Sequence, residues 1–420
     1  MKINNVIDIS YQNSEGNLKS EVGHLNMKIA IDIRKIGKRS TGDETYTFHL
    51  VRELASLKES QKHNYLLLTD QRVAKIKQIL GKLPSNFEVI KVAPTNKLFW
   101  TFYSLPRFLR KNPVDILHVQ YIAPFHLYRK TKIVTTIHDV SFRANPEWIG
   151  KSDSLIMNNF IPLSLKRADA VITVSNFSKS EITKYYRYPK EKIFVTHPAI
   201  DERFFSTKAK IGEKNALKNI VGGKNPYVLH ISSMQPRKNV PLVIKAYAKM
   251  KAHWKRENSQ WKNTKLVLVG DKYAYNYDKG IDEEILKQVQ NDKISINDII
   301  TTGYLPYKLL PIIYRNALVF IFPSAYEGFG LPLLEAMACK LPVIASNIGS
   351  LKEIGGNAAL FTDLRKSKEK AVSDIAQSAI NIVENSDLRR NIIAKGTERI
   401  KLYNWKDLAK ATLNIYEKIV

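Results

Sequence analysis

The run ALVFIF, Ala317 to Phe322, leads into PSAYEGFGLPLLEAMACKLPVIAS, and this stretch limits the folds open to the chain. An unbroken apolar run has no polar face to turn to water, so it reads as a strand covered on both sides. Gly328 and Gly330 let the backbone turn tightly. LPLLEAMACK then reads as a helix that Leu341–Pro342 ends, and VIAS, Val343 to Ser346, as the next strand. Strand, glycine loop, helix and strand make a βαβ crossover, which requires a parallel sheet with helices against it.

Two carboxylates interrupt this apolar unit. Glu327 stands in the loop before the helix, and Glu335 stands eight residues later, inside it. The free N–H groups of the helix start lie between them and can seat negative oxygens. Acceptors for hydroxyls beside donors for phosphate suit a ligand that is half sugar and half diphosphate. The plainer alternative is that Glu327 caps the loop and Glu335 makes a surface ion pair.

The same α/β rhythm runs through both halves. Strands are expected at Lys28–Ile33, Tyr65–Thr69, Phe87–Val92, Asp115–Val119, Lys132–Ile137, Ala168–Ser175 and Lys192–Thr196. In the second half they are expected at Pro226–Ser233, Lys265–Gly270, Ile299–Thr302, Ala317–Phe322, Val343–Ser346 and Ala359–Phe361. A glycine loop containing Gly42 follows the first strand, and a helix begins at Glu44 with Tyr46, Leu50, Leu54 and Leu57 on one face. The loop is not GxGxxG, so it carries no dinucleotide fingerprint. His138 and Asp139 stand at the carboxyl end of a strand, where open parallel sheets bind ligands. MQPRKN places Arg237 and Lys238 just before a helix at Val240. A guanidinium can clamp two phosphate oxygens and an ammonium can add a point charge, or the pair is a solvated basic turn. The economical architecture is two doubly wound domains facing a cleft. The expected division is 27–202, a linker over 203–225 rich in Lys, Gly and Asn, 226–400, and a final amphipathic helix in 401–420. Residues 1–26 read as a disordered arm or an upstream start.

The single cysteine, Cys339, excludes an intrachain disulfide framework and fits a reducing compartment. There is no 18-residue apolar run and no apolar signal core in the first 26 residues. A cytoplasmic protein is expected. The net charge of +27 fits an anionic substrate, an anionic membrane surface or nucleic acid. No zinc-finger spacing, arginine-rich arm or RNA-binding aromatic pair stands out, so nucleic acid ranks behind the other two. Between Lys97 and Lys111, Trp100, Phe102, Tyr103 and Phe108 alternate with Arg107 and Arg110. This segment either lies on a membrane surface or packs on the sheet with a basic end.

Taken together, EGFGLPLLE, SSMQPRKN, IHDVSF and a glycine loop after the first strand resemble the retaining glycosyltransferases of family 4, which have the GT-B fold. The resemblance runs from Met27 to Tyr416. It implies transfer of a sugar from a nucleotide diphosphate sugar to an acceptor with retained anomeric configuration, generally with no divalent metal and no bound cofactor. By that resemblance Lys238 holds the distal phosphate with Arg237 beside it, and Glu327 faces the hydroxyls of the donor sugar. Gly328, Phe329, Gly330 and Leu331 supply backbone around phosphate and sugar, and Glu335 accepts from the ribose. His138 reaches the transferred sugar from the first domain, and Gly42 approaches the diphosphate. STGDETY departs from the commoner glycine–arginine–tyrosine pattern at Gly42. Ser232 stands where many members have an arginine, which shifts weight to Arg237. The final helix resembles the family's crossover onto the first domain. HDVSF-type members resemble mannosyltransferases, which favours GDP-mannose over a UDP-sugar. The basic surface suits a glycan or lipid-linked glycan acceptor, with peripheral contact on the inner face of the membrane. The competing readings are a GT-B nucleotide-sugar epimerase, a two-carboxylate hydrolase and a basic nucleic-acid-binding protein.

Overall fold

The computed structural model describes residues 26–38, 42–93, 97–127, 131–205, 212–272 and 276–420. The N-terminal arm expected over 1–26 lies, apart from Asn26, outside the described residues. Among the described residues, thirteen strands form two all-parallel sheets. The first contains β1 (Lys28–Asp32), β2 (Asn64–Thr69), β3 (Phe87–Lys91), β4 (Ile116–Gln120), β5 (Lys132–Thr136), β6 (Ala170–Thr173) and β7 (Ile193–Val195), in the order β3-β2-β1-β4-β5-β6-β7. The second contains β8 (Tyr227–Ile231), β9 (Lys265–Val269), β10 (Ile299–Gly303), β11 (Val319–Phe322), β12 (Val343–Ser346) and β13 (Leu360–Thr362), in the order β10-β9-β8-β11-β12-β13. Every strand expected from the sequence is present, with ends moved by one or two residues. Each sheet reverses its winding once, between β1 and β4 and between β8 and β11. Parallel sheets open a ligand crevice at such points, beyond the carboxyl ends of the strands.

The apolar run at β11 is explained by its two faces. Phe320 and Phe322 enter one core with Leu229, Val267 and Leu333. Val319 and Ile321 enter the other with Val228, Leu266, Val243 and Ile375. A fully buried side chain of this size contributes about 1.5–3 kcal/mol, so neither face tolerates a polar residue.

Three segments differ from the sequence reading. Helix Gly42–Ser56 begins at Gly42 rather than at Glu44. The stretch taken as a linker contains a helix, Glu213–Val221, closed by Gly222 at φ 68°. The segment after Lys97 is both packed and outward-facing. A π-helical turn, Trp100–Ser104, rotates the chain between Lys97–Phe99 and Leu105–Lys111. It buries Trp100, Leu105 and Leu109 in the first domain but leaves Phe99 and Tyr103 each 46% exposed. Cys339 is a buried free thiol one residue past its helix, and burial pushes it up to about 12.

The C-terminal helix, Trp405–Ile419, packs on helix Gly42–Ser56 of the first domain. Its apolar stripe of Trp405, Leu408, Leu413 and Tyr416 is buried, as the sequence pattern predicts. Tyr416 shares a 2.5 Å hydrogen bond with His118 Nδ1, and Trp405 stacks on His49 at 4.4 Å between ring centres.

Candidate active site

On the second-domain side the site is built by strapping two loops together. The 3-10 turn Pro236–Lys238 follows β8, and Asn239 then takes a left-handed φ of 52° to start helix Val240–Arg256. Asn239 Nδ2 donates to the carbonyl of Pro323 (2.9 Å), and the N–H of Ala325 donates to the carbonyl of Arg237 (2.7 Å). These bonds fix the basic turn against the loop after β11.

Glu327 lies between the two cations. Lys238 Nζ donates to its Oε1, and Arg237 Nη1 stands 3.4 Å from Oε2 while donating to the carbonyl of Tyr326 at 3.0 Å. All three groups are buried or nearly so. Burial pushes the Lys238 ammonium down to about 8, with Arg237 adding repulsion and Glu327 opposing. Burial raises Glu327, but Lys238 and Arg237 outweigh it and hold the carboxyl below its ordinary range. An arriving diphosphate would add negative charge here and raise the proton affinity of Lys238.

Glu335 is not a surface residue. It is buried in helix Leu331–Ala338 and accepts from the hydroxyls of Tyr307 (3.0 Å) and Tyr314 (3.1 Å). Burial pushes its carboxyl up to about 7, against the pull of the two tyrosines. The surface-ion-pair alternative is therefore wrong, and the cause is the surrounding core. The helix start also offers fewer donors than expected. Pro332 has no N–H, and the N–H of Leu333 already donates to the carbonyl of Gly330 at 3.0 Å. Gly330 holds φ at 105°, and a Cβ there would lie 2.4 Å from Leu351 Cδ2.

From the first domain, β5 delivers His138. Its ring is mostly covered and stands edge-on to Tyr46 at 4.9 Å. Nε2 is buried with no hydrogen-bond partner, 3.8 Å from Asp43 Oδ1. Burial lowers its proton affinity, Asp43 and Asp139 pull it back up, and Lys35 pushes it down again. The domains touch here. Ser175 and Ser178 hydroxyls donate to the carbonyl of Gly328 (2.6 and 3.1 Å), and Ser178 also donates to that of His138 (3.0 Å). A Cβ on Gly328 would sit 2.3 Å from the His138 carbonyl oxygen, so only glycine fits. Nearby, Glu353 of the second domain accepts the N–H groups of Asn176 (2.8 Å) and Phe177 (2.9 Å), which open helix Asn176–Tyr186.

A cavity of about 600 Å³ lies between the sheets. It is lined by Gly42, His138, Ser232, Arg237, Lys238, Glu327, Gly328, Phe329, Leu331 and Glu335. Of the residues singled out from the sequence, Gly330 alone is not on its wall. Ser232 is occupied with its own turn, bonded to His230 Nε2 (2.9 Å) and to the N–H of Met234 (3.1 Å). Sequence reasoning missed Tyr307, Tyr314, Lys35 and Asp43. Only Asp43 had a local signal, in the unusual STGDETY. Among the described residues, no group of three or more His, Cys, Asp or Glu side chains stands together in a way that could hold a metal ion.

Two family models match in tandem. "Glycosyltransferase Family 4" covers residues 40–204, and "Glycosyl transferases group 1" covers 213–399. O-antigen chain mannosyltransferase B of Escherichia coli is 28% identical over 411 residues, 93% of this chain and 100% of that protein. O-antigen chain mannosyltransferase RfbU of Salmonella typhimurium is 27% identical, over 83% of this chain and 90% of its own. Among solved structures, HepE of Anabaena in complex with UDP and glucose superposes with a TM-score of 0.64 at 18% identity, covering 94% of this chain and 99% of that one. With two parallel sheets meeting over a shared cavity and both family models in chain order, the protein belongs to glycosyltransferase family 4, with the GT-B fold, and is mannosyltransferase-like.

Proposed function

We propose that this glycosyltransferase moves a hexose, mannose first among the candidates, from a nucleotide diphosphate sugar to a glycan or lipid-linked glycan, with retention at the anomeric carbon. The observation that carries the reading is the convergence of Arg237, Lys238 and Glu327 from one domain with His138 and Gly42 from the other on one cavity. The relatives named as O-antigen mannosyltransferases support mannose, and GDP-mannose is the matching donor. HepE binds UDP and glucose, so the base of the donor is the first thing to test.

The chemistry is a front-face displacement. The bond from C1 to the phosphate oxygen breaks with its electron pair going to the phosphate. The acceptor oxygen bonds to C1 on the same face. The acceptor's proton passes to the departing phosphate oxygen, so no separate protein base is required. Arg237 and Lys238 stabilise the charge that grows on the diphosphate. Because both are already held in place, little reorganisation opposes them. In this role they supply what a divalent cation supplies elsewhere. As the phosphate takes these cations, Glu327 is released toward the sugar hydroxyls. Glu335, with Tyr307 beside it, takes the ribose.

The acceptor reading rests on the surface. Phe99 and Tyr103 are exposed beside Arg107, whose guanidinium donates to the Tyr103 hydroxyl at 3.0 Å. Apolar rings flanked by cations suit an anionic lipid surface. No helix among the described residues is long and apolar enough to cross a membrane. Sedimentation with anionic vesicles tests this contact, and equal recovery in the supernatant with and without vesicles refutes it.

The direct test is calorimetry with GDP, UDP, GDP-mannose and UDP-glucose, followed by turnover with and without an acceptor. One nucleoside diphosphate should bind, and turnover should rise sharply on adding acceptor. Failure of every nucleoside diphosphate to bind overturns the reading. Fast turnover without acceptor would mark an epimerase instead.

A further inference from the structure

A second cavity of about 520 Å³ opens in the first domain, at the switch point of its sheet, where Asp32 ends β1 and Gln120 ends β4. The two cavities share four wall residues, Lys35, Asp43, Asp139 and Gln235. If the larger cavity holds the donor, an attacking hydroxyl reaches C1 through this seam.

Three of the four seam residues already have partners. Asp139 Oδ1 accepts the N–H (2.9 Å) and the hydroxyl (2.7 Å) of Ser141. Gln235 Oε1 accepts from Arg237 Nε at 3.2 Å. The Lys35 side chain is half exposed and pairs with Asp43 Oδ2 at 3.2 Å. Asp43 differs. Its Oδ1 faces His138 Nε2 across 3.8 Å, too far for a hydrogen bond, and that nitrogen is buried and without a partner. A hydroxyl oxygen seated beside that line can accept from Nε2–H and donate to Oδ1, satisfying both. A buried polar atom left unpaired calls for such an explanation.

The seam is also rigid. Asp43 lies in the first turn of helix Gly42–Ser56, its carbonyl accepts from Thr47 Oγ1 (2.7 Å), and Glu44 Oε1 accepts the N–H of Gly37 (2.6 Å). Tyr121 stands 5.8 Å from the His138 ring with φ at 60°, a strained setting that clusters at functional sites. His138 and Lys35 hold the partly buried Asp43 carboxyl below its ordinary range, so it is an acceptor at neutral pH. The cations of the second cavity are paired, Arg34 with Asp32, Lys35 with Asp43 and Lys38 with Asp70, which suits a neutral sugar rather than a phosphate.

We propose that Asp43, together with the Nε2 of His138, binds and aims the attacking hydroxyl of a neutral sugar acceptor presented through the first-domain cavity. This rests on the donor reading above. The hydroxyl proton still leaves to the phosphate oxygen, and Asp43 holds it only by hydrogen bond.

The test compares native protein with Asp43→Asn and Asp43→Ala. The acceptor is whichever of a set of octyl hexosides the native enzyme glycosylates fastest. Acceptor kcat/KM should fall about 10- to 100-fold, the scale of one hydrogen bond to a charged group. The Kd for the nucleoside diphosphate should stay within about twofold. A loss of nucleoside diphosphate binding in step with transfer means the site as a whole was disturbed rather than one acceptor contact, which overturns the proposal. So does an Asp43→Asn enzyme that transfers like the native one. If the native chain binds no nucleoside diphosphate, the donor reading itself fails, and that outcome is distinct from the other two.

Discussion

Replacing Lys238 by methionine separates a role in phosphate binding from a role in holding the loop. Methionine keeps most of the side-chain volume but removes the cation. Glu327 then keeps Arg237 at 3.4 Å as its cationic neighbour, inside a buried site. Breaking a buried ion pair by removing one partner costs about 3–5 kcal/mol. The open cavity beside Glu327 admits water, so the lower end applies, and a clear fall in melting temperature is expected. Lys238→Met should also lower kcat/KM at subsaturating donor by about 10²-fold, or about 2.7 kcal/mol of transition-state stabilisation. The second step is the double variant Lys238→Met with Glu327→Gln. It removes both charges, so most of the lost stability should return. If Lys238 serves the diphosphate, the rate should not return with it. The assay is donor turnover at subsaturating concentration beside thermal denaturation of the native protein, Lys238→Met, Glu327→Gln and the double variant. Recovery of rate in step with stability would refute the phosphate role.

Glu335 has a carboxyl raised to about 7 in the folded chain, against an unfolded value of 4.5. The folded state therefore holds the extra proton in that window. This group's contribution to stability is present below it and is lost as pH rises toward 7, so Glu335→Gln should flatten a denaturation profile measured across it. Ribose hydroxyls need the ionised carboxylate, so nucleotide affinity should rise through pH 7 in the native protein and not in Glu335→Gln; parallel slopes would refute this. Gly328→Ala places a methyl 2.3 Å from the His138 carbonyl, so the lobes should be wedged apart, at about 1–3 kcal/mol for overpacking; an unchanged radius of gyration by solution scattering would refute it. Glu353→Ala removes the acceptor for the Asn176 and Phe177 N–H groups and should cost about 1 kcal/mol, as a lost helix cap does. Hydrogen exchange at those amides should quicken, and equal protection would count against the contact.

The fold was legible because both faces of each sheet are covered. A strand such as Val319–Phe322 must then be apolar throughout, and the eye finds it without knowing its neighbours. The site was legible where its parts are close in sequence, as with Glu327 and Glu335 or Arg237 and Lys238. What could not be read depends on distant pairing. Tyr307 and Tyr314 bury Glu335 from 28 and 21 residues away, and no periodicity announces them. Ser175 reaches Gly328 across 153 positions. Helix Glu213–Val221 was hidden by its composition, since Lys and Asn between glycines look like a loop until Leu217 and Ile220 are seen against the core. The π-helical turn at Trp100 defeats a strict 3.6-residue pattern, which is why packing and exposure looked like alternatives there.

The C-terminal helix has a bearing on biogenesis. Trp405 and Tyr416 close over His49 and His118, both in the portion made first by the ribosome. That portion therefore waits, with an apolar seat bare, until Trp405 to Tyr416 have emerged. The half that is translated first is the half that is completed last.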